Sequence, residues 1–355
     1  MRTYLLPEKG TFYKANLHCH TTCSDGKLTP EEIKAIYKEK GYQIIAFTDH
    51  DHLRSQYHLT ESDFLALTAY EISIRSDDSN IPHALRKVVD LNLFAKTPDN
   101  LTHIGYHPES VQWLVDEGKL TREKMDAIEY AGPLRDMHYY PGNVSQIIQT
   151  ANESGFMVMV NHPMWSLMNY TDYGSFTGAW AVEVYNHACL VESGLPSSEL
   201  VYEDILRSGK KIFAVASDDN HNHDPFDSAK NDSFGGFTMI KAESLDYSSV
   251  IDAMEKGHFY ASTGPEIQEL YYEDGKVHIH CSEVSEICMN TLGRLGDRVA
   301  AEEGKAITEA SFDIHPKLFG YVRFRVTDKT GKTAYTNPYY VDEFMPGAIP
   351  QRAIL

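Results

Sequence analysis

The chain has 355 residues, 42% of them hydrophobic, enough to bury a large core and form one sizeable α/β domain with a smaller companion. Its formal net charge of -19 would repel a polyanion, which excludes an extended nucleic-acid backbone as partner. The 5 cysteines include no C-x-x-C pair, Met1–Lys9 lacks a signal-peptide core, and no run is long enough to span a bilayer; a soluble cytoplasmic protein with reduced thiols is expected, with no membrane partner.

Phe12–His20 reads as a short apolar strand. Side chains two apart on a strand share a face, so His18 and His20 present two imidazoles to one point while Cys19 faces away. Asp25 follows on a turn containing Gly26 that can fold its carboxylate back toward them. Two imidazoles and a carboxylate at a strand end outline a divalent-metal site. Thr29 as N-cap, Pro30 at the first helical position and Glu31 and Glu32 in the first turn predict a helix to Lys40, stopped by Gly41.

Tyr42–Phe47 is a continuous apolar strand, of the kind buried on both faces of a parallel sheet, and leads into Thr48-Asp49-His50-Asp51-His52. A third run, Phe64–Tyr70, ends at Glu71; a fourth, Val88–Ala95, ends without a candidate ligand. Residues 96–140 are polar with helical patches and are read as a helical insertion covering one end of the domain. The alternation then resumes. A helix over 143–154 precedes Phe156–Val160 and Asn161-His162-Pro163, and Ala181–Asn186 is another strand. A helix over 197–208 precedes Ile212–Ala216 and Ser217-Asp218-Asp219-Asn220-His221, and Phe237–Ile240 with the helix Tyr247–Lys256 closes the series.

Alternating strand and helix imply parallel βα units, and the lack of a Gly-rich phosphate fingerprint after the first strand favours a barrel over an open sheet. The candidate ligands His18, His20, His50, Glu71, His162, Asp219 and His221 recur just past the carboxyl ends of strands, where barrels assemble their chemistry. From Gly264-Pro265 onward short alternating runs with hairpin turns at Asp274-Gly275 and Thr330-Gly331 predict a small antiparallel β-sandwich. The expected domains are therefore 1–265 and 266–355.

Five blocks, N-L-H-C-H-T-T-C-S-D-G, F-T-D-H-D, Y-E-I-S, V-N-H-P and A-S-D-D-N-H, together resemble the PHP (polymerase and histidinol phosphatase) superfamily, in the branch with an all-β C-terminal domain. The resemblance implies a distorted (β/α)7, TIM-like barrel holding two or three divalent ions, zinc, manganese or iron. Carried over block by block, His18, His20, Glu71 and Asp219 would hold one ion. Glu71 would bridge to a second that also takes His162, and Asp25, His50 and His221 would hold a third. The family's D-x-H spacing selects Asp219 over Asp218. The family's further histidine after the glutamate is not evident: the fourth strand offers Asp90 or Asn92, with His83, His103 and His107 nearby.

The expected activity is hydrolysis of a small phosphorylated substrate, a phosphoesterase reaction in which metal-bound hydroxide attacks. Asp49, Asp51 and Glu183 are read as supporting carboxylates, and His221 or His223 as a proton source for the leaving group. Arg86, Lys87 and Arg135 are candidate phosphate contacts, and Cys19 and Cys23 are core thiols. Two alternatives stand beside this reading: hydrolysis of a non-phosphate ester, amide or carbamate by the same centre, and a metal-containing binding protein without turnover.

Overall fold

A computed structural model describes residues 2–76, 80–136, 138–315 and 320–348. Seven strands lie side by side in chain order: β1 (Thr11–Asn16), β2 (Ile44–Phe47), β3 (Leu65–Arg75), β4 (Val88–Ala95), β5 (Phe156–Val160), β6 (Ala181–Asn186) and β7 (Phe213–Ser217). The β1-β2-β3 and β5-β6-β7 groups are parallel, as crossover connections require. The sheet bends until its far members meet. An apolar cluster gathers Ala46 from β2, Leu67 from β3, Met159 from β5 and Val215 from β7. Just past β1 and β7, a single parallel bridge joins Cys19 to Asn220, with the His20 amide donating to the Asn220 carbonyl at 3.0 Å. Among the described residues no continuous ladder joins β7 to β1, so the result is a large, mostly parallel curved sheet rather than a barrel sealed by hydrogen bonds.

β4 departs from the expected pattern, because it runs antiparallel to both β3 and β5. The described residues between β3 and β4 hold only the short 3-10 turn His83–Leu85, and without a crossover helix a neighbouring strand must return the opposite way. Two corrections follow. The residues of β4 beside the ligand-bearing strand ends are its first ones, so Ala95 lies at the wrong end. Pairing with β4 also prolongs β3 to Arg75, which leaves Glu71 inside a strand and not beyond its end.

Helix Pro30–Glu39 starts with the reciprocal cap read from the sequence: the Glu32 amide donates to Thr29 Oγ1 at 3.2 Å and the Thr29 amide to Glu32 Oε2 at 2.8 Å. Gly41, at φ +78°, takes the left-handed conformation that ends it. Helices Pro141–Glu153 and Glu199–Arg207 bury Ile147, Ile148, Val201 and Ile205 against Val158, Val182 and Ala214 of the sheet. Residues 96–140 hold helices Pro108–Asp116 and Arg122–Asp126 and also a two-stranded parallel pair, His103–Ile104 with Tyr130–Ala131. No helix among the described residues is long and apolar enough to cross a membrane.

Beyond β1 the sheet continues through β8 (Phe237–Ala242) and β9 (Phe259–Ser262), both antiparallel additions, into Thr333–Thr336 and Tyr321–Thr327. A separate antiparallel sheet of Thr3–Tyr4, Ile267–Glu273, Lys276–Val284 and Ile307–Asp313 packs on this far end around Leu270, Ile279, Phe312, Phe324 and Val326. Its hairpin turns at Asp274 and Gly275, both at positive φ, as a two-residue turn matched to the strand twist requires.

Two buried polar contacts lock the C-terminal strands to the first sheet. Arg323, fully buried, pairs with Glu203 and Glu199 of the Glu199–Arg207 helix. Asn337 accepts from the Ala214 amide at 2.9 Å and donates to the carbonyls of Gly257 and Phe259 at 3.0 and 2.9 Å. Replacing Asn337 with Ala strands three buried backbone groups, and urea denaturation should show a loss of roughly 2–4 kcal/mol.

Candidate metal centre

The register of β2 on β3 sets the first contact. Phe47 pairs with Thr68, and the same offset continues past the end of β2 to put His50 opposite Glu71. On the other side β4 lays Asn92 opposite Glu71 and Asp90 opposite Ser73. The Asn161 amide donates to the Asp90 carbonyl at 3.0 Å, which brings His162 beside Asp90. The Cys19–Asn220 bridge brings Asp219 and His221 against His18 and His20. Asp219 sits at φ +57° and His162 at φ +24°, backbone conformations that side-chain-bearing residues rarely adopt and that concentrate at functional sites.

All eight sequence candidates converge on one cavity of about 330 Å³ or on its floor. Three sets of ligand atoms stand within metal-sharing distance: His20, Asp25, His50 and His221; His18, Glu71 and His162; and His18, His20 and Asp219. Asp219 Oδ1 lies 3.1 Å from Nε2 of both His18 and His20. Glu71 Oε2 lies 3.3 Å from His20 Nε2 and 3.2 Å from His50 Nδ1, while its Oε1 lies 3.3 Å from His18 Nε2. Asp25 reaches His50 Nε2 at 3.6 Å and His221 Nε2 at 3.5 Å.

The donor set fits divalent cations. His18 Nε2 and both ring nitrogens of His20 are buried and make no hydrogen bond among the described residues, a state that is costly unless another electrophile takes the lone pairs. The electrostatics point the same way. Burial alone would lower the imidazoles, but the surrounding carboxylates outweigh it: Asp219 and Glu71 hold His20 at about 10, and Glu71, Asp219 and Asp90 hold His162 at about 9. Asp25, despite its own burial, is held at about 2 by His20, His50 and His221. A cluster whose carboxylates stay ionised and draw positive charge onto the neighbouring imidazoles is one that divalent ions can occupy.

Neighbouring polar groups orient the candidate ligands. Glu183 accepts from His18 Nδ1 at 3.1 Å, from the His162 amide at 2.9 Å, from Ser217 Oγ at 2.5 Å and from Asn186 Nδ2 at 2.9 Å. It thereby leaves Nε2 of His18 free to face the centre. Ser166 Oγ, 3.1 Å from Nδ1 of His162, does the same for that ring. Asn161 donates to Glu71 Oε1 at 2.6 Å and Asn186 to Asp219 Oδ2 at 3.0 Å. Asp218 turns away from the cavity and accepts from Tyr37, Phe234, Gly235 and Gly236.

The remaining expectations divide. Asp49 braces the Thr21–Ser24 turn that carries Asp25, accepting from the Thr21 amide and hydroxyl and from Ser24 Oγ, and among the described residues takes no ring N–H. Asp51 meets Trp113 and Arg135. Lys87 pairs with Asp172 and Arg86 with the Ile81 carbonyl, both away from the cavity. His107 caps helix Pro108–Asp116, the side chain of His83 lies outside the described residues, and Asn92 turns its amide to the Leu17 carbonyl. His103 lies outside the cavity: its Nε2 accepts from the Leu53 amide and faces His52 Nδ1, each at 3.0 Å. Among the described alternatives for the missing histidine, Asp90 lines the cavity.

Ser73, Arg75, Trp165, Cys189 and Glu192 also line it and were not singled out from the sequence. Ser73 and Arg75 carried a readable signal, being two and four residues beyond Glu71 on the same strand face.

No family model and no curated protein matches the sequence. Among solved structures, a two-domain protein from Bacteroides vulgatus containing a predicted PHP-like metal-dependent phosphoesterase aligns over 95% of this chain and 98% of its own, at 12% identity and TM-score 0.43. A candidate metal-dependent phosphoesterase from Bifidobacterium adolescentis aligns over 61% of this chain and 89% of its own, at 16% identity and TM-score 0.33. An amidohydrolase from Chromobacterium violaceum, solved with sulfate and no metal, aligns over 58% and 87%, at 16% identity and TM-score 0.36. These likenesses are loose, and the ligand geometry carries the functional reading.

Two outcomes test this geometry. Glu183→Gln should weaken divalent-metal binding roughly 10–100-fold in calorimetric titration, because the His18 ring loses its anionic anchor. The second concerns His103, whose burial holds its ring at about 4, below the ordinary 6.5. Its neutral form is the folded one, so its contribution to stability is complete above pH 6.5 and is lost as pH falls toward 4, by up to about 1.4 kcal/mol per pH unit. Denaturation at pH 7 and pH 5 should show that decline in the native chain and a shallower one in His103→Gln, whose amide oxygen can still accept from Leu53.

Proposed function

We propose that the chain is a metal-dependent phosphoesterase that releases phosphate from a small phosphorylated molecule. The observation that carries the reading is the convergence of His18, His20, Asp25, His50, Glu71, His162, Asp219 and His221, with orphaned imidazole nitrogens, at the floor of one open cavity. His18, His20, Glu71 and Asp219 would hold one ion, His162 with Glu71 a second, and Asp25, His50 and His221 a third. Zinc, manganese and iron all suit nitrogen and oxygen donors. Such ions acidify water and offset charge on phosphoryl oxygens.

The chain's own side chains set what enters. The cavity is rich in carboxylates, so an anionic group is admitted only where cations reverse the local sign. Arg75 lines it and offers a further positive charge for a substrate oxygen. Trp165, 44% exposed and 5.0 Å from the His162 ring, offers an apolar face to the non-phosphate part of the substrate. His223, stacked 5.8 Å from His221 and lining the cavity, would give a proton to a departing oxygen. The net charge of -19 favours a small substrate over nucleic acid, and the reduced thiols fit a cytoplasmic setting.

The test is a panel of aryl phosphates, aryl carboxyl esters and carbamates with chelator-stripped, metal-reloaded protein. The expected result is metal-dependent phosphate release, reduced roughly 100–1,000-fold by His20→Ala or Glu71→Ala, the scale on which loss of one transition-state contact registers. Faster turnover of the carboxyl esters or carbamates would transfer the reading to those substrates. Tight metal binding without turnover of any of them would mark a binding protein.

A further inference from the structure

Resting on the metal-dependent reading above, the structure assigns Asp90 as a ligand of an oxygen-rich cation position at the His162 end of the centre, one that suits manganese(II) while zinc suits the opposite end. Asp90 is 3% exposed and lines the cavity. Its Oδ1 is buried with no hydrogen-bond partner among the described residues, and its Oδ2 lies 3.8 Å from His162 Nε2. Around that same nitrogen stand Glu71 Oε1 at 3.6 Å and Asp219 Oδ2 at 3.8 Å. Each of these gaps to the imidazole nitrogen is one that an ion with bonds of about 2.1–2.2 Å can bridge, and the oxygens would draw together around it on binding. A buried carboxylate oxygen without a donor must meet a cation or take up a proton, since leaving it bare is costly, and beside an imidazole nitrogen and two further carboxylates a divalent cation answers that need.

The two ends of the centre differ in chemistry. At the His162 end one imidazole nitrogen meets oxygens of Glu71, Asp90 and Asp219. At the other, Asp25 is the one carboxylate grouped with three imidazoles, those of His20, His50 and His221. Carboxylate-rich positions suit magnesium and manganese, and imidazole-rich ones suit zinc. Zinc binds more tightly to almost any such site, so the contrast should emerge as a division of ions when zinc is limiting and manganese is in excess.

The experiment loads chelator-stripped full-length protein with substoichiometric zinc and excess manganese(II). Bound metals are then counted by elemental analysis and free manganese by electron paramagnetic resonance, neither of which requires turnover. The native chain is expected to hold both metals. Asp90→Asn should weaken manganese binding at least tenfold and leave bound zinc unchanged, and Asp90→His should restore the second ion as zinc. Metal-free Asp90→Asn should be no less stable than the metal-free native chain, because a neutral amide replaces a carboxylate beside Glu71. Native manganese affinity in Asp90→Asn would overturn the assignment. A metal-free variant that melts earlier would overturn it too, by marking Asp90 as a structural group. A native chain that binds no divalent ion would instead sink the metal-dependent reading itself.

Discussion

Four carboxylates, those of Asp25, Glu71, Asp90 and Asp219, meet in one cavity, three of them buried, and although Arg75 also lines it, none of the four has a lysine or arginine ion pair among the described residues. Carboxylates removed from water must find positive charge, accept hydrogen bonds or take up protons. The neighbouring groups provide only part of this. Asn161, Asn186 and Ser24 donate hydrogen bonds that aim the carboxylates without adding charge. What remains is borrowed from imidazoles: His20 and His162 are drawn upward, while His221, crowded by burial and by His20, is driven down to about 4. Rings of one kind pushed in opposite directions within a few ångströms make a charge distribution that discrete divalent ions can settle. The left-handed backbone at Asp219 and His162 is then the local cost of presenting ligands from tight strand-end turns.

That arrangement depends on a reversal in the sheet. Had β4 run parallel to β3, its last residue, Ala95, would have stood at the ligand-bearing end and Asp90 would have faced the other way along the strand. The described residues of the connection after Arg75 carry no crossover helix, and β4 returns antiparallel and delivers Asp90 to the cavity from its start. The residues that line the candidate centre were legible in the sequence, since a His-x-His at a strand end and a polar residue after each apolar run are local signals. Strand direction was not legible in the same way. It is fixed by what lies between strands, and a polar loop can be read as insertion or as hairpin. The depth of Glu71 was missed for the same reason, because the run of apolar residues breaks at Glu71 although the strand does not.

Support residues divided along similar lines. Asp49 and Glu183 were recognisable as carboxylates near ligands, but the group each holds depends on long-range packing: Glu183 holds His18, 165 positions away in the chain, whereas Asp49 holds the turn bearing Asp25. Histidines near the site in sequence were poor guides. His103 and His107 lie close to β4 along the chain yet serve a buried imidazole pair and a helix cap. The C-terminal strands were read as an appended sandwich. The continuous hydrogen-bonded path from β8 through β9 to Thr333–Thr336, with Asn337 bonded to Ala214 at the start of β7, makes them an extension of the sheet that carries the site.

Glu71 shows why the side-chain type matters as much as its position. Ligands placed past a strand end can be short, as Asp219 and Asp25 are, because the turn itself swings them inward. Glu71 sits within β3, held by pairing on both sides, so its backbone cannot swing and its reach must come from the side chain. One extra methylene lets Oε1 meet His18 and His162 while Oε2 meets His20 and His50, so that a single carboxylate touches four rings from three separate strand ends. An aspartate on the same rigid strand would fall short of both sides at once. The length of this side chain, set against the stiffness of a doubly paired strand, is therefore what joins the nitrogen-rich and oxygen-rich ends into one centre.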